Sequence, residues 1–392
     1  MNLTPHGPAG LAEIEQISQR AELALEKIRG TLLSPDAVKK APVWNASQLG
    51  HFVGMDRAKV SYHAKKGQVP EGTLPEGSSR KIWSTAELQQ WTRKFRSENL
   101  RPSDQPAVTV AVANFKGGVS KTTTAAHLAQ GLSLRGHKVL LVDVDPQASL
   151  TTLCGLLPGV EIDEEHTLSP LFSGEQSDAS YAVRPTYWPD LDLIPAMTRL
   201  YAAEFKLPAR QKDDPSFEFW RALDLGLDPL RDVYDVIVID SSPSLSYMTI
   251  NALMAADGLV IPVQASNLDF ASLSQFWSLY LDIARSLSDL RGDEKRFEFV
   301  DIVLSRVKPK NATAGAAVRS WIRDVYAGRV LSTEVPESET VTNAGLGFGT
   351  IYDLPKSQVD ADTYARAFDA YEAFVDEVES EIVGVWNNWR AA

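Results

Sequence analysis

The segment that most restricts the fold is residues 108–132, where the apolar run VTVAVAN passes directly into FKGGVSKTTTAAHLAQGL. A buried strand that ends in a glycine-rich turn and then opens a helix is the setting in which backbone N–H groups hold phosphate. Further short β-branched runs follow at intervals filled by helical stretches: KVLLVDV (138–144), LDLIPA (191–196), VIVID (236–240), GLVIPVQA (258–265) and FVDIVLSRV (299–307). Their near-continuous hydrophobicity means burial on both faces, which predicts a mostly parallel, doubly wound α/β sheet between helices. From Ala361 an acidic amphipathic helix is expected, with Tyr364, Phe368, Tyr371 and Val375 on the side that caps the sheet.

Upstream, Leu11, Ile14, Ile17, Ala21, Leu25 and Ile28 recur at helical spacing over residues 11–30. That stripe packs either on its own domain or on a second copy. Pro35 and Pro42 punctuate a linker. Residues 44–97 read as a small winged helix-turn-helix. Asn45 or Ser47 caps a first helix with Leu49, Phe52 and Val53 inward, and Gly54 ends it. Asp56 caps a second helix carrying Arg57, Lys59, Ser61, Tyr62, His63, Lys65 and Lys66, which suits a major groove and its phosphates. A Gly/Pro-rich hairpin with Arg80 and Lys81 forms the wing, and Ser84 with Glu87 forms a capping box for a last helix through Leu88 and Trp91. The arrangement resembles the reader domains of MerR-like regulators, although other three-helix modules with surface lysines share it. The expected organisation is residues 1–42 as helix and linker, 43–100 as DNA reader and 107–392 as the α/β body.

Charge is spread unevenly. The chain carries −12 overall, yet residues 44–101 hold ten Lys/Arg against five Asp/Glu. A basic module on an acidic body is compatible with DNA binding by the module alone, and an ordinary fluctuation of composition gives the same figure. A single cysteine, Cys154, excludes an internal disulfide framework and a cysteine-rich metal site. No apolar run approaches the roughly 18 residues that span a bilayer, and MNLTPHGPAG lacks a signal-peptide pattern. A cytoplasmic protein is expected.

The phosphate-loop candidate departs from the ordinary P-loop, whose two glycine positions hold Phe115 and Ser120 here. What remains, Lys116-Gly117-Gly118 followed by Lys121-Thr122, resembles the deviant Walker A motif of the ParA/MinD superfamily. That resemblance implies a nucleotide-binding set of Lys116, Gly117, Gly118, Val119, Ser120, Lys121, Thr122 and Thr123. Gly117 and Gly118 would turn N–H groups onto phosphate, Lys121 would reach the β- and γ-phosphates, and Thr122 would bind Mg²⁺. Lys116 would reach the partner's nucleotide across a dimer. In VLLVDVDPQASLT (139–151) the resemblance assigns Asp145 to the attacking water and Asp143 to support of Mg²⁺ or Lys121. In YDVIVIDSSPSLSYMTINAL (234–253), Asp240 matches a Walker B acid holding Mg²⁺ through water, and Pro243 opens a nucleotide-responsive loop. Pro336 falls where the family places adenine contacts, although Glu337 stands where a basic residue is usual.

The resemblance spans about residues 108–350 and, with the N-terminal reader, is similar to the large partition ATPases that repress their own operon. It implies slow Mg²⁺-dependent hydrolysis of ATP, an ATP-stabilised homodimer, nonspecific binding to nucleoid DNA and stimulation by a ParB-type centromere-binding partner. Specific operator binding by the reader is implied as well. Arg306, Lys308 and Lys310, with Arg319 and Arg323, are the candidates for nonspecific DNA contact. An ATP-liganded repressor without a segregation role is the alternative. A MinD-like membrane organiser would need a cationic C-terminal helix, but residues 361–392 carry only Arg366 and Arg390. A nitrogenase-type reductase would need cluster-ligating cysteines.

Overall fold

A computed structural model describes residues 9–32, 39–291, 294–308, 313–338, 341, 349–354 and 360–391. It divides into two units, Met1–Lys40 and Ala41–Ala392. The first contains α1 (Leu11–Leu32), on which Leu11, Ile14, Ile17 and Leu23 are exposed. The side chains of Leu25 and Ile28, and Pro35, lie outside the described residues.

The second unit begins with β1 (Val43–Asn45), α2 (Ala46–Phe52), α3 (Arg57–Lys65), β2 (Ile82–Ser84) and α4 (Thr85–Phe95). The caps follow the sequence. The Asn45 side chain accepts from the Ser47 and Gln48 amides, Asp56 accepts from the Lys59 amide, and Ser84 with Glu87 closes a capping box. The expected wing differs in its pairing. Ile82 bridges Thr73 alone, and β2 instead pairs antiparallel with β1, Trp44 opposite Trp83. Pro70 and Pro75 flank Thr73 and supply no N–H to extend that ladder.

The body adds β3 (Val108–Val112), α5 (Lys121–Leu134), β4 (Val139–Asp143), α6 (Ser149–Leu153) and α7 (Ser169–Ser173). Next come β5 (Arg184–Pro185), β6 (Leu191–Ile194), α8 (Ala203–Asp213), α9 (Ala222–Arg231), β7 (Val236–Asp240) and α10 (Tyr247–Ala255). The chain continues through β8 (Gly258–Gln264), α11 (Asn267–Arg291), β9 (Phe299–Val307), α12 (Thr313–Val325), β10 (Val330–Pro336) and a final helix, α13 (Ala361–Ala391). The sheet order is β10-β9-β8-β3-β7-β4-β6-β5, parallel except for the β5–β6 pair. Its strands supply one core on the side of α5 and α13 and a second on the side of α8 to α12.

Register sets the site. Val112 pairs with Asp240 and Asp143 pairs with Asp240, so the P-loop strand and both acids end at one level of the sheet. Behind them α5 lies against α13, whose Tyr364, Phe368, Tyr371 and Val375 are buried as the sequence predicts. The approach is close enough that a Cβ on Gly131 would stand 2.6 Å from Val375 Cγ2. The α2–α4 module is continuous with this core: Trp44, Leu49, Phe52, Trp83 and Trp91 join Leu128 and Trp386 in one cluster. Each fully buried side chain of that size contributes about 1.5–3 kcal/mol. Polar ties reinforce the contact, with Gln89 Nε2 donating to Ser133 Oγ at 2.6 Å and Arg93 pairing with Asp190 at 2.6 Å.

Candidate functional site

The loop between β3 and α5 is folded back onto neighbouring strand ends. Lys121 Nζ donates to the Lys116 carbonyl at 2.9 Å, Gln264 Nε2 to the Gly118 carbonyl at 2.7 Å, and Ser305 Oγ to the Val119 carbonyl at 3.1 Å. With these carbonyls engaged, the N–H groups of Gly117, Gly118, Val119 and Ser120 make no hydrogen bond among the described residues. Gly118 and Ser120 adopt positive φ, 78° and 71°, which produces the concave run of amides that receives an anion. The N-terminus of α5 adds its dipole at the same point.

A cavity of about 500 Å³ opens over this loop. Gly117, Gly118, Ser120, Lys121, Thr122 and Thr123 line it, together with Asp145, Gln147, Ser149, Thr152, Leu153 and Pro243. Of the expected binding set, Val119 is fully buried and supports the loop from beneath. Lys116 turns aside, its ammonium 2.7 Å from Asp269. Pro336 ends β10 opposite Val307 and does not line the cavity. Gln147 closes the DPQ turn, whereas Ser149, Thr152 and Leu153 carry no motif of their own and enter because α6 follows that turn.

The three acids have distinct surroundings. Asp143 is buried and its oxygens are taken: Oδ1 accepts from the Asp145 amide, and Oδ2 accepts from the Thr151 amide and hydroxyl. Burial lifts its carboxyl to about 7, with those hydrogen bonds working in the opposite direction. Three hydrogen bonds from the Asp145–Thr151 turn already end on this carboxylate, which favours Asp143 as the brace of the turn. Asp145 borders the cavity, and its Oδ1 accepts from the Gln147 amide at 3.0 Å. Asp240 is fully buried, and neither oxygen has a hydrogen-bond partner of ordinary geometry. Burial and the neighbouring Asp143 raise its carboxyl well above the usual range, and the nearby Thr122 hydroxyl and Lys121 ammonium only partly counter them. Lys121, also buried, is lowered by desolvation against the pull of Asp240 and Asp145. Two buried, unpartnered oxygens beside a hydroxyl fit a hard divalent cation, which takes oxygen donors.

On the α2–α4 module, Arg57, Lys59, Tyr62, Lys65 and Lys66 are exposed along α3, whose Val60 and Ala64 face inward. Arg80 is exposed, while Lys81 pairs with Glu71. The cationic cluster expected after residue 300 is not an open patch. Arg306 reaches Glu337 at 2.8 Å and the Gly118 carbonyl at 3.4 Å, and Arg319 and Arg323 share Glu334. Each is drawn to a carboxylate within reach. Lys308 is exposed, and Lys310 lies outside the described residues.

A model of the AAA domain family matches residues 107–290. Over 89% of this chain and 91% of the relative, the sequence is 30% identical to the SopA protein of Escherichia coli (strain K12). It is 31% identical to the chromosome partitioning protein ParA of Caulobacter vibrioides (strain NA1000 / CB15N), over 64% of this chain and 90% of that protein. A solved structure of a partition protein shares the fold over 95% of this chain and 97% of its own, with a TM-score of 0.64 at 19% identity. Deviant P-loop, paired strand-end acids and relatives agree: the chain belongs to the ParA-type partition ATPases of the ParA/MinD superfamily.

Proposed function

We propose that this partition ATPase couples Mg²⁺-dependent ATP hydrolysis to DNA segregation as a homodimer, and that the α2–α4 module reads an operator. The observation that carries the hydrolytic centre is Asp240, a buried carboxylate with two unpartnered oxygens beside Thr122 and Lys121. The amides of Gly117 to Ser120 and the ammonium of Lys121 hold the β- and γ-phosphates, with Thr122 and Thr123 at the start of α5. Thr122 and Asp240 hold the cation, which when bound neutralises phosphate charge. Asp143 fixes the turn that presents Asp145, and Asp145 orients the attacking water. Lys116 leaves Asp269 to reach the partner's nucleotide, and Pro336 borders the base.

The cationic face of α3, with Arg80, supports DNA reading through phosphate and base contacts. Lys308 is the supported candidate for nonspecific contact by the body. A ParB-type protein as activator, a nucleoid-associated cytoplasmic location and autorepression complete the reading. The deciding assay is the ATPase rate with no addition, with nonspecific DNA, with the cognate ParB-type protein, and with both, repeated on Lys121→Ala and Asp145→Ala. A low basal rate that rises several-fold only with both additions, and disappears in the variants, supports partition. Nucleotide binding with no response to either addition would instead favour an ATP-liganded repressor, to be sought by operator footprinting with Arg57→Ala and Lys59→Ala as controls.

A further inference from the structure

The strand-end loops that carry Asp145 and Asp240 are joined by a segment to which the motifs assign no role. A 3-10 turn, Thr198–Ala202, leads directly into α8. From it the Glu204 carboxylate reaches the N-terminus of α10: Oε2 accepts from the Tyr247 amide at 3.0 Å and Oε1 from the Met248 amide at 3.3 Å. Three residues earlier, the Tyr201 hydroxyl accepts from Gln147 Nε2 at 3.2 Å. Gln147 is the residue whose own amide holds Asp145 Oδ1 at 3.0 Å. One short segment therefore touches both nucleotide-facing loops.

We propose that Glu204 is a positioning residue for hydrolysis, and that with Tyr201 it straps the Asp240–Ser246 loop to the Asp145 turn. The inference rests on the ATPase reading above. The first amides of a helix have no partner within it and must be satisfied from outside. Ser246 caps α10 locally through the Thr249 amide, at 3.2 Å. Tyr247 and Met248, the two amides ahead of it, depend on a carboxylate 43 and 44 residues away in sequence. A carboxylate at that end gains from both charge-assisted hydrogen bonds and the helix dipole. The loop just before α10 holds Asp240 at one end and sets Pro243 in the cavity wall. Fixing the start of α10 fixes where that loop lies relative to Asp145. Misplacement of such groups by about 1 Å costs as much as a hundredfold in rate without touching substrate contacts.

A strap of this kind changes turnover more than nucleotide affinity, because the phosphate contacts belong to the β3–α5 loop. The test uses the full chain as Glu204→Ala, Glu204→Gln and Tyr201→Phe, with Lys121→Ala as control. Three quantities are read: affinity for a non-hydrolysable ATP analogue, kcat, and hydrogen exchange of the Tyr247 and Met248 amides. Glu204→Ala is expected to lower kcat about tenfold, with affinity within about threefold of wild type and exchange of both amides at least about tenfold faster. Glu204→Gln, which keeps one oxygen acceptor in the same shape, should fall between the two. Tyr201→Phe should lower kcat about threefold and leave α10 protected. The inference is overturned if Glu204→Ala opens the amides but keeps wild-type kcat. It is equally overturned if kcat and affinity fall together in Glu204→Gln, the variant that preserves packing. A wild type that turns over no faster than Lys121→Ala would overturn the ATPase reading, and the strap with it.

Discussion

Lys116 and Asp269 form a closed ion pair within one chain, with 2.7 Å between the ammonium and a carboxylate that is 3% exposed. Asp269 lies in the first turn of α11, where its other oxygen is held by the Ser266 hydroxyl. A lysine engaged there is not free to cross to a second copy. On the function proposed above, its release is a cost set against ATP-driven dimerisation. Asp269→Asn keeps the shape and removes the charge. ATP-dependent self-association should then occur at about fivefold lower protein concentration, the equivalent of about 1 kcal/mol. Sedimentation over an ATP series reads this directly, and an unchanged midpoint would rule out the latch.

Asp240 yields a prediction of opposite sign for stability and binding. With both oxygens buried and unpartnered, its charge destabilises the nucleotide-free chain. Asp240→Asn should therefore melt no lower than wild type, while MgATP affinity drops at least about tenfold because the cation loses its acid. Linkage adds a pH test. Burial raises both Asp240 and Asp143 above the usual carboxylate range, Asp143 to about 7, so above that usual range the folded chain holds protons that the unfolded chain has released. Stability without nucleotide should fall as pH rises above the usual carboxylate range, and Asp240→Asn should flatten the slope. Denaturant titration at several pH values measures both.

These features were legible to different degrees. Gly117, Gly118, Lys121 and Thr122 were legible through their resemblance to the deviant Walker A motif, which is built from consecutive residues. The buried strands were legible because burial on two faces removes polar alternation. By contrast, β10 has Ser332, Thr333 and Glu334 along its edge, and β5 is two residues ending in proline, so neither shows an apolar run. The turning aside of Lys116 to Asp269 and the neutralisation of Arg306 by Glu337 are contacts between residues distant in sequence. Spacing does not encode them. The fusion of the α2–α4 module with the body was hidden for the same reason: Gln89 and Ser133 are 44 residues apart.

Backbone geometry separates the two loop glycines. Gly118 requires φ of 78°, where an L side chain is strained, although open space surrounds the position. Gly117 has no such requirement, and a Cβ there would meet only Pro243 at 3.9 Å. Gly118→Ala should cost about 1–2 kcal/mol in the nucleotide-free chain, and Gly117→Ala less than about 1 kcal/mol. Ser120 already occupies φ of 71° without being glycine, so Ser120→Gly should be tolerated and Ser120→Val should be the harshest of the set. Thermal melts of the four variants give the order, and a Gly118→Ala melt equal to wild type would contradict it.

The joint between α2 and α13 should respond to pH. His51 Nε2 stands 3.3 Å from Glu372, a carboxylate 4% exposed that also faces Arg135 and accepts from the Tyr352 hydroxyl. The hydrogen bond to Glu372 raises His51 above 6.5, against burial and the Arg135 charge, with Asp376 adding to the rise. A histidine whose folded pKa is raised contributes its stability in full below about 6.5 and loses it as pH climbs through the raised value. His51→Gln should therefore loosen the α2–α13 contact more at pH 6 than at pH 8.5, since the charged form that Glu372 favours is lost as pH rises. Hydrogen exchange of the α2 amides at the two pH values distinguishes this from simple loss of packing. Equal acceleration at both would mean that shape, through the 5.4 Å edge contact of His51 with Phe52, outweighs charge.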